Sequence, residues 1–215
     1  MSQIKSLRDH VCSYINEKIK SGELRPNEKL NEPKICKDLE ISRTPAREAL
    51  IMLATDHIID FVPRKGFYVR EVTAEDMLEY YALMGNLDAF AAKLAMPRMS
   101  TLEIVKMKEI AANINVAIEF SNFDRYLELQ QDFHDIYIKR CQNTPLIETI
   151  QSLRYRYIPI TYNQQKVDPE RYKRILFQTN EEHQRIIQCF ESNDQERIEK
   201  FIRDVHWATD YIELL

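Results

Sequence analysis

The sequence predicts a mainly α-helical protein, with an N-terminal winged helix-turn-helix over residues 1–72 joined to a C-terminal antiparallel helical bundle over 73–215. Three observations carry this expectation. Only three glycines occur in 215 residues, at 22, 66 and 85, too few for many tight hairpins or for glycine-rich cofactor loops. Apolar residues recur at three- and four-residue intervals along most of the chain, the signature of helices with one buried face. Near residue 60 the pattern changes to two short β-prone runs around a basic turn that contains glycine.

The head is built as follows. Ile4, Leu7, Val11, Ile15 and Ile19 form one apolar stripe of a first helix, which Ser21 to Pro26 stops and turns. A short helix over 32–39 places Ile35 and Leu39 inward. Ile41 and Ser42 make the turn, with Ser42 as N-cap and Pro45 in the first turn of the next helix, where its missing N–H costs little. That helix turns Ala46, Ala49, Leu50 and Leu53 inward and leaves Arg43, Thr44, Arg47 and Glu48 outside. The runs Ile58–Val62 and Phe67–Val69 then pair as a hairpin around Pro63-Arg64-Lys65-Gly66. Two arginines and a threonine on exposed first turns suit a duplex major groove, and a basic wing suits phosphates. Each basic residue alone is most simply solvated surface; four of them on the reading helix and wing favour DNA.

Charge agrees with this division without proving it. Residues 1–72 carry 13 basic and 11 acidic residues, whereas 73–215 carry 17 and 23. The formal net charge of -4 excludes a polycation that coats nucleic acid. With 44% apolar and 30% charged residues, the chain is not generally disordered. It starts without a signal-like apolar stretch and has no run approaching 18 apolar residues, so a cytoplasmic protein with no membrane partner is expected. Cys12, Cys36, Cys141 and Cys189 form no CxxC pair and read as reduced thiols.

In the body, helices are expected at 74–95, 100–119, 123–140, 144–162, 170–192 and 194–213. His134, His183 and His206 each border the inward side of a different helix. A histidine so placed is either a satisfied core residue or a ligand, and three share one cation only if their nitrogens reach a common centre at about 2.1 Å.

The run Ser42-Arg43-Thr44-Pro45-Ala46-Arg47-Glu48-Ala49-Leu50, preceded by Gly22 to Leu30 and followed by Pro63 to Val69, resembles the GntR family of bacterial transcription regulators. The resemblance implies operator contacts for Arg43, Thr44, Arg47, Arg64, Lys65 and Gly66. Pro33 stands where that family often has a further basic residue. The body is similar to the FCD-type effector domain of the FadR subfamily, on the pairs Phe133-His134 and Glu182-His183 and on the later His206. That likeness implies a divalent metal, zinc or nickel, on His134, His183 and His206. The aspartate of the family pattern, one turn before the first histidine, is Gln130 here. An arginine that often precedes the first-helix carboxylate by one turn is Met84, with Asp88 as the carboxylate. Gln130, Asp88 and Arg154 are therefore the effector-side candidates, with Arg156, Tyr155, Tyr157 and Tyr162 as further sources of replacement contacts to a ligand.

The leading expectation is a homodimeric regulator that binds double-stranded operator DNA under control of a small molecule, an organic acid carrying a carboxylate. Two alternatives stand beside it: a regulator whose bundle only dimerises, and a metal-dependent hydrolase-like enzyme built on the histidines.

Overall fold

The computed structural model describes residues 7–161 and 168–208, and the chain divides into two compact units, the first ending at Thr73 and the second starting at Ala74. In the first unit, α1 (Leu7–Lys20), α2 (Glu32–Asp38) and α3 (Arg43–Thr55) precede β1 (Ile59–Val62) and β2 (Gly66–Val69). Val11, Cys12 and Ile15 of α1 pack with Ala46, Ala49, Leu50 and Leu53 of α3 in a closed core. The expected first residue of the α1 stripe, Ile4, lies outside the described residues.

Local chemistry fixes the boundaries. Asn31 caps α2 by accepting from the Lys34 N–H at 3.0 Å, and Pro33 occupies the first turn, where no intrahelical donor is lost. Ser42 holds the N-cap position of α3 with extended backbone, but its side chain makes no capping bond, so that part of the expectation is corrected. Strands β1 and β2 are antiparallel, pairing Ile59 with Val69 and Val62 with Gly66. Lys29 bridges to Tyr68, and Leu30 N–H donates to the Phe67 carbonyl at 2.8 Å. The segment before α2 thus adds an edge to the wing. Periodicity could not show this, because a single bridged residue carries no repeating pattern.

The second unit is a helical bundle of α4 (Ala74–Ala95), α5 (Thr101–Glu119), α6 (Phe123–Arg140), α7 (Thr144–Thr161), α8 (Pro169–Ser192) and α9 (Gln195–Phe201). Ser100 and Glu103 form a reciprocal capping box on α5, while Asn122, Asp168 and Asp194 cap α6, α8 and α9. Helix α5 packs on α6 and α8, and α4 packs on α6 and α9. Met84, Met107, Ile114, Tyr126, Phe133 and Tyr137 are fully enclosed between them. Among the described residues no helix is long and apolar enough to cross a membrane. The four cysteines are free thiols, three of them buried.

The last helix departs from expectation. Regular winding stops at Phe201, and Ile202–His206 form a π turn in which the Trp207 N–H reaches back five residues to the Ile202 carbonyl at 3.0 Å. The wider turn carries one extra residue. It leaves Val205 37% exposed and buries His206 to 5%. The predicted continuation over 209–213 lies outside the described residues.

Candidate functional site

On the first unit, Arg43, Thr44, Arg47 and Glu48 are exposed along the first two turns of α3, opposite the buried Ala46, Ala49 and Leu50. They line a groove with Lys29, Glu32 and Ile51. Arg47 is held by Glu32, whose Oε2 lies 3.3 Å from Nη1, and its guanidinium stands 6.0 Å from the Phe67 ring centroid. At the wing, Arg64 and Lys65 are exposed. The Lys65 N–H closes the turn on the Val62 carbonyl at 3.0 Å. Two residues there have left-handed backbone, Arg64 at φ 65° and Gly66 at φ 106°. A Cβ on Gly66 would meet the Lys29 side chain only at an ordinary contact distance of 3.4 Å, so glycine serves the backbone conformation rather than space. The six residues expected to face a duplex are thus brought to adjacent elements, with Lys29 and Glu32 as neighbours that sequence reasoning missed.

In the second unit the three histidines converge. Their ligand atoms all lie within 4.8 Å of one another, and His134 Nε2 stands 3.2 Å from His206 Nε2. They come from α6, α8 and the π turn, and each is at most 5% exposed. Behind each ring a second residue holds Nδ1. Asp88 Oδ2 lies 3.0 Å from His134 Nδ1, Glu182 Oε2 2.9 Å from His206 Nδ1, and Asn180 Oδ1 3.0 Å from His183 Nδ1. Asn180 spends its amide N–H groups on the Ala111 carbonyl at 2.8 Å and Asn115 Oδ1 at 2.7 Å, so its oxygen can only accept from His183.

These partners determine the tautomers. Each Nδ1 carries the proton and each Nε2 presents a lone pair to the common centre. His134 Nε2 and His206 Nε2, 3.2 Å apart, both turn toward that centre. Tetrahedral ligation at 2.0–2.1 Å places nitrogens about 3.4 Å apart, close to that separation. The buried His183 Nε2 and Gln130 Oε1 also have no hydrogen-bond partner. The donor set therefore fits a divalent cation held by three neutral imidazoles.

Electrostatics favour the neutral form of His134 and His183. Burial pushes His134 down to about 4, with Asp88 opposing only in part. Burial, reinforced by the neighbouring imidazoles, holds His183 well below the ordinary histidine value. Burial works to raise Asp88, but His134, Arg154 and Trp207 together outweigh it and keep the carboxyl well below its usual range. Tyr137 donates to the same Asp88 oxygen at 2.9 Å, and burial next to that carboxylate drives its phenol well up.

The effector-side candidates separate. Asp88 is fully enclosed and bonded to His134 Nδ1, so it stands behind that ring, on the side away from the other histidines. Arg154 is 9% exposed and bonded to Asp135 Oδ1 at 2.9 Å. Met84 is fully buried, and Asp132, two residues from Gln130, faces solvent. The side chains of Tyr155, Arg156 and Tyr157, and all of Tyr162, lie outside the described residues. Asn180 and Trp207 were not singled out from sequence, since a buried amide or indole has no spacing signature that separates it from core.

Comparison with known proteins agrees with both units. The FCD domain matches residues 79–206, and the bacterial regulatory protein gntR family matches residues 7–69. This chain belongs to the GntR/FCD family. Similar proteins include the Nta operon transcriptional regulator of Aminobacter aminovorans, 32% identical over 136 residues, 63% of this chain and 64% of that one. The HTH-type transcriptional regulator McbR of Escherichia coli K12 is 24% identical over 165 residues, covering 76% and 75%. The match thus spans 64% of the length of the first of these relatives. Among solved structures, E. coli McbR/YncC superposes with a TM-score of 0.76 at 20% identity over 94% of each chain. A GntR regulator from Rhodococcus sp. RHA1 gives 0.73 at 18% identity over 98% of each. Both share the GntR/FCD fold seen here.

Proposed function

We propose that this GntR/FCD chain is a sequence-specific DNA-binding transcription regulator whose operator affinity is set by a small molecule at the histidine centre. The observation that carries the reading is the pairing, in one chain, of an exposed Arg43-Thr44-Arg47 helix face with three buried imidazoles whose Nε2 atoms face one point. Arg43 and Arg47 read guanine edges, while Arg64, Lys65 and the Gly66 turn meet phosphates. The histidine pairs favour the FadR subfamily within the GntR/FCD family.

His134, His183 and His206 would hold the divalent metal, zinc or nickel, which when bound supplies a positive centre for an anionic ligand. Gln130 brings no charge, and a carboxylate-bearing effector would complete the balance. Arg154, whose charge reaches Asp88, already pairs with Asp135 and would have to share that charge with a second anionic group. Asp88 orients His134 throughout.

A homodimer supplies the two heads a pseudo-palindromic operator requires. Leu83 and Phe90, seven residues apart on α4, are 47% and 44% exposed, an apolar stripe on a helix whose other face is already packed. The hydrolase alternative loses support: the carboxylates nearest the centre, Asp88 and Glu182, are bonded to Nδ1 atoms and are not placed as free bases.

The testing experiment is anisotropy titration of a duplex selected from a random pool, with zinc-loaded and chelated protein, across a panel of small organic acids. At least one acid is expected to change operator affinity in the zinc-loaded protein only. An operator affinity indifferent to zinc and to every acid would leave the bundle as a dimerisation unit.

A further inference from the structure

Trp207 is the only tryptophan of the chain, and it closes directly on the histidine centre. Its indole Nε1 donates to Asp88 Oδ2 at 2.8 Å, and its ring stands edge-on to Tyr80, Tyr81 and His206. The approach depends on Gly85: a Cβ there would fall 2.9 Å from Trp207 Cβ and 3.3 Å from the Arg203 carbonyl. Asp88 Oδ2 thus gathers the Trp207 N–H, the Tyr137 hydroxyl and His134 Nδ1 on one oxygen, inside a carboxylate with no exposed surface. Three donors fix the direction of that oxygen toward His134. Meanwhile the residue one turn before His134 is a neutral amide, whose Oε1 is buried without a partner.

We propose that Asp88, locked in place by Trp207, is a positioning residue that supplies from behind His134 the negative charge that Gln130 does not bring to the metal. An ionised carboxylate on Nδ1–H makes the imidazole a stronger donor at Nε2 and offsets part of the cation's charge at one remove. Glu182 acts in the same sense behind His206. The centre is then a neutral inner set of three imidazoles and an amide, balanced by two buried carboxylates. The proposal rests on the reading of His134, His183 and His206 as metal ligands.

Zinc calorimetry on the full chain tests it, with Asp88→Asn, Trp207→Phe, Gln130→Asp and the Asp88→Asn/Gln130→Asp double variant. Asp88→Asn should weaken zinc about 10–100-fold, the range for outer partners of ligating histidines. Trp207→Phe keeps a ring in place and removes the N–H, so a smaller loss of several-fold is expected. The decisive readout is rescue: Gln130→Asp should restore affinity in Asp88→Asn by a larger factor than it adds to wild type. Packing alone would not produce that coupling. If Asp88→Asn does not fold, the same comparison is made in Trp207→Phe. Wild-type affinity in both Asp88→Asn and Trp207→Phe, or equal gains from Gln130→Asp in every background, would overturn the proposal. Absence of zinc binding in wild type would instead overturn the metal reading on which it rests.

Discussion

His134 and His206 face each other Nε2 to Nε2 at 3.2 Å, while the far nitrogen of each ring is held by its own buried carboxylate. The two carboxylates hold both rings with their Nε2 atoms turned toward one centre, the orientation a shared cation requires.

Calorimetry with zinc or nickel is expected to give one site per chain. His183→Ala and His206→Ala should each weaken binding by at least about 100-fold, since two imidazoles rarely hold a divalent ion against water. Equal binding by wild type and both variants would place the metal elsewhere.

The acid limit follows from burial. Folding holds His134 at about 4, below the ordinary histidine value of about 6.5, so the folded state prefers the neutral ring. The stabilisation is full above about pH 6.5 and is lost as pH falls toward 4, at most on the order of 3 kcal/mol. Chelator-treated protein should therefore lose thermal stability between about pH 6.5 and 4, and His134→Asn should flatten that slope. Metal should also persist below the range of about pH 5–6 at which exposed imidazoles would release it. Identical slopes in wild type and His134→Asn would rule this out.

Much of this architecture was legible in the sequence, and the exceptions share a cause. The stripes of Val11 and Ile15, and of Ala46, Ala49 and Leu50, announced their helices because burial on one face imposes a period. His134 and His183 were legible as inward residues for the same reason. His206 was legible as inward too, but not the π turn that carries it, which no 3.6-residue template contains and which leaves Val205 exposed. The bonds from Asp88 to Trp207 and from Asn180 to Ala111 span 119 and 69 residues, and depend on tertiary placement that periodicity does not encode.

Gly85→Ala should destabilise the second unit by about 1–3 kcal/mol, the cost of overpacking a close helix approach. Thermal unfolding reads this directly, and emission from Trp207 should change with it. An unchanged melting temperature would mean that the α4 packing against Arg203 and Trp207 is looser than described.

Glu40 ends the turn before α3 with φ 54°, a left-handed conformation costly for a residue with Cβ. Glu40→Gly should stabilise the first unit by about 0.5–1 kcal/mol, the relief exceeding the added freedom of the unfolded chain. A drop in melting temperature would show that the Glu40 side chain contributes more than its backbone costs.

At the wing, Arg64→Ala or Lys65→Ala should lower affinity for all duplexes alike and reduce the dependence of log affinity on log salt by about 0.9 for each phosphate no longer neutralised. Titrations at several salt concentrations measure that slope, and a base-specific weakening without a change in slope would reassign the wing to sequence readout.

The most direct test of DNA reading by the α3 face is selection from a random duplex pool with wild type and with the Arg43→Ala/Arg47→Ala variant, the folding of each checked by circular dichroism. Wild type should enrich a two-fold symmetric site with half-sites about ten base pairs apart, while the variant keeps only salt-sensitive, sequence-indifferent binding. Enrichment of the same site by both proteins, or of no site by wild type, would contradict the assignment of sequence recognition to Arg43 and Arg47.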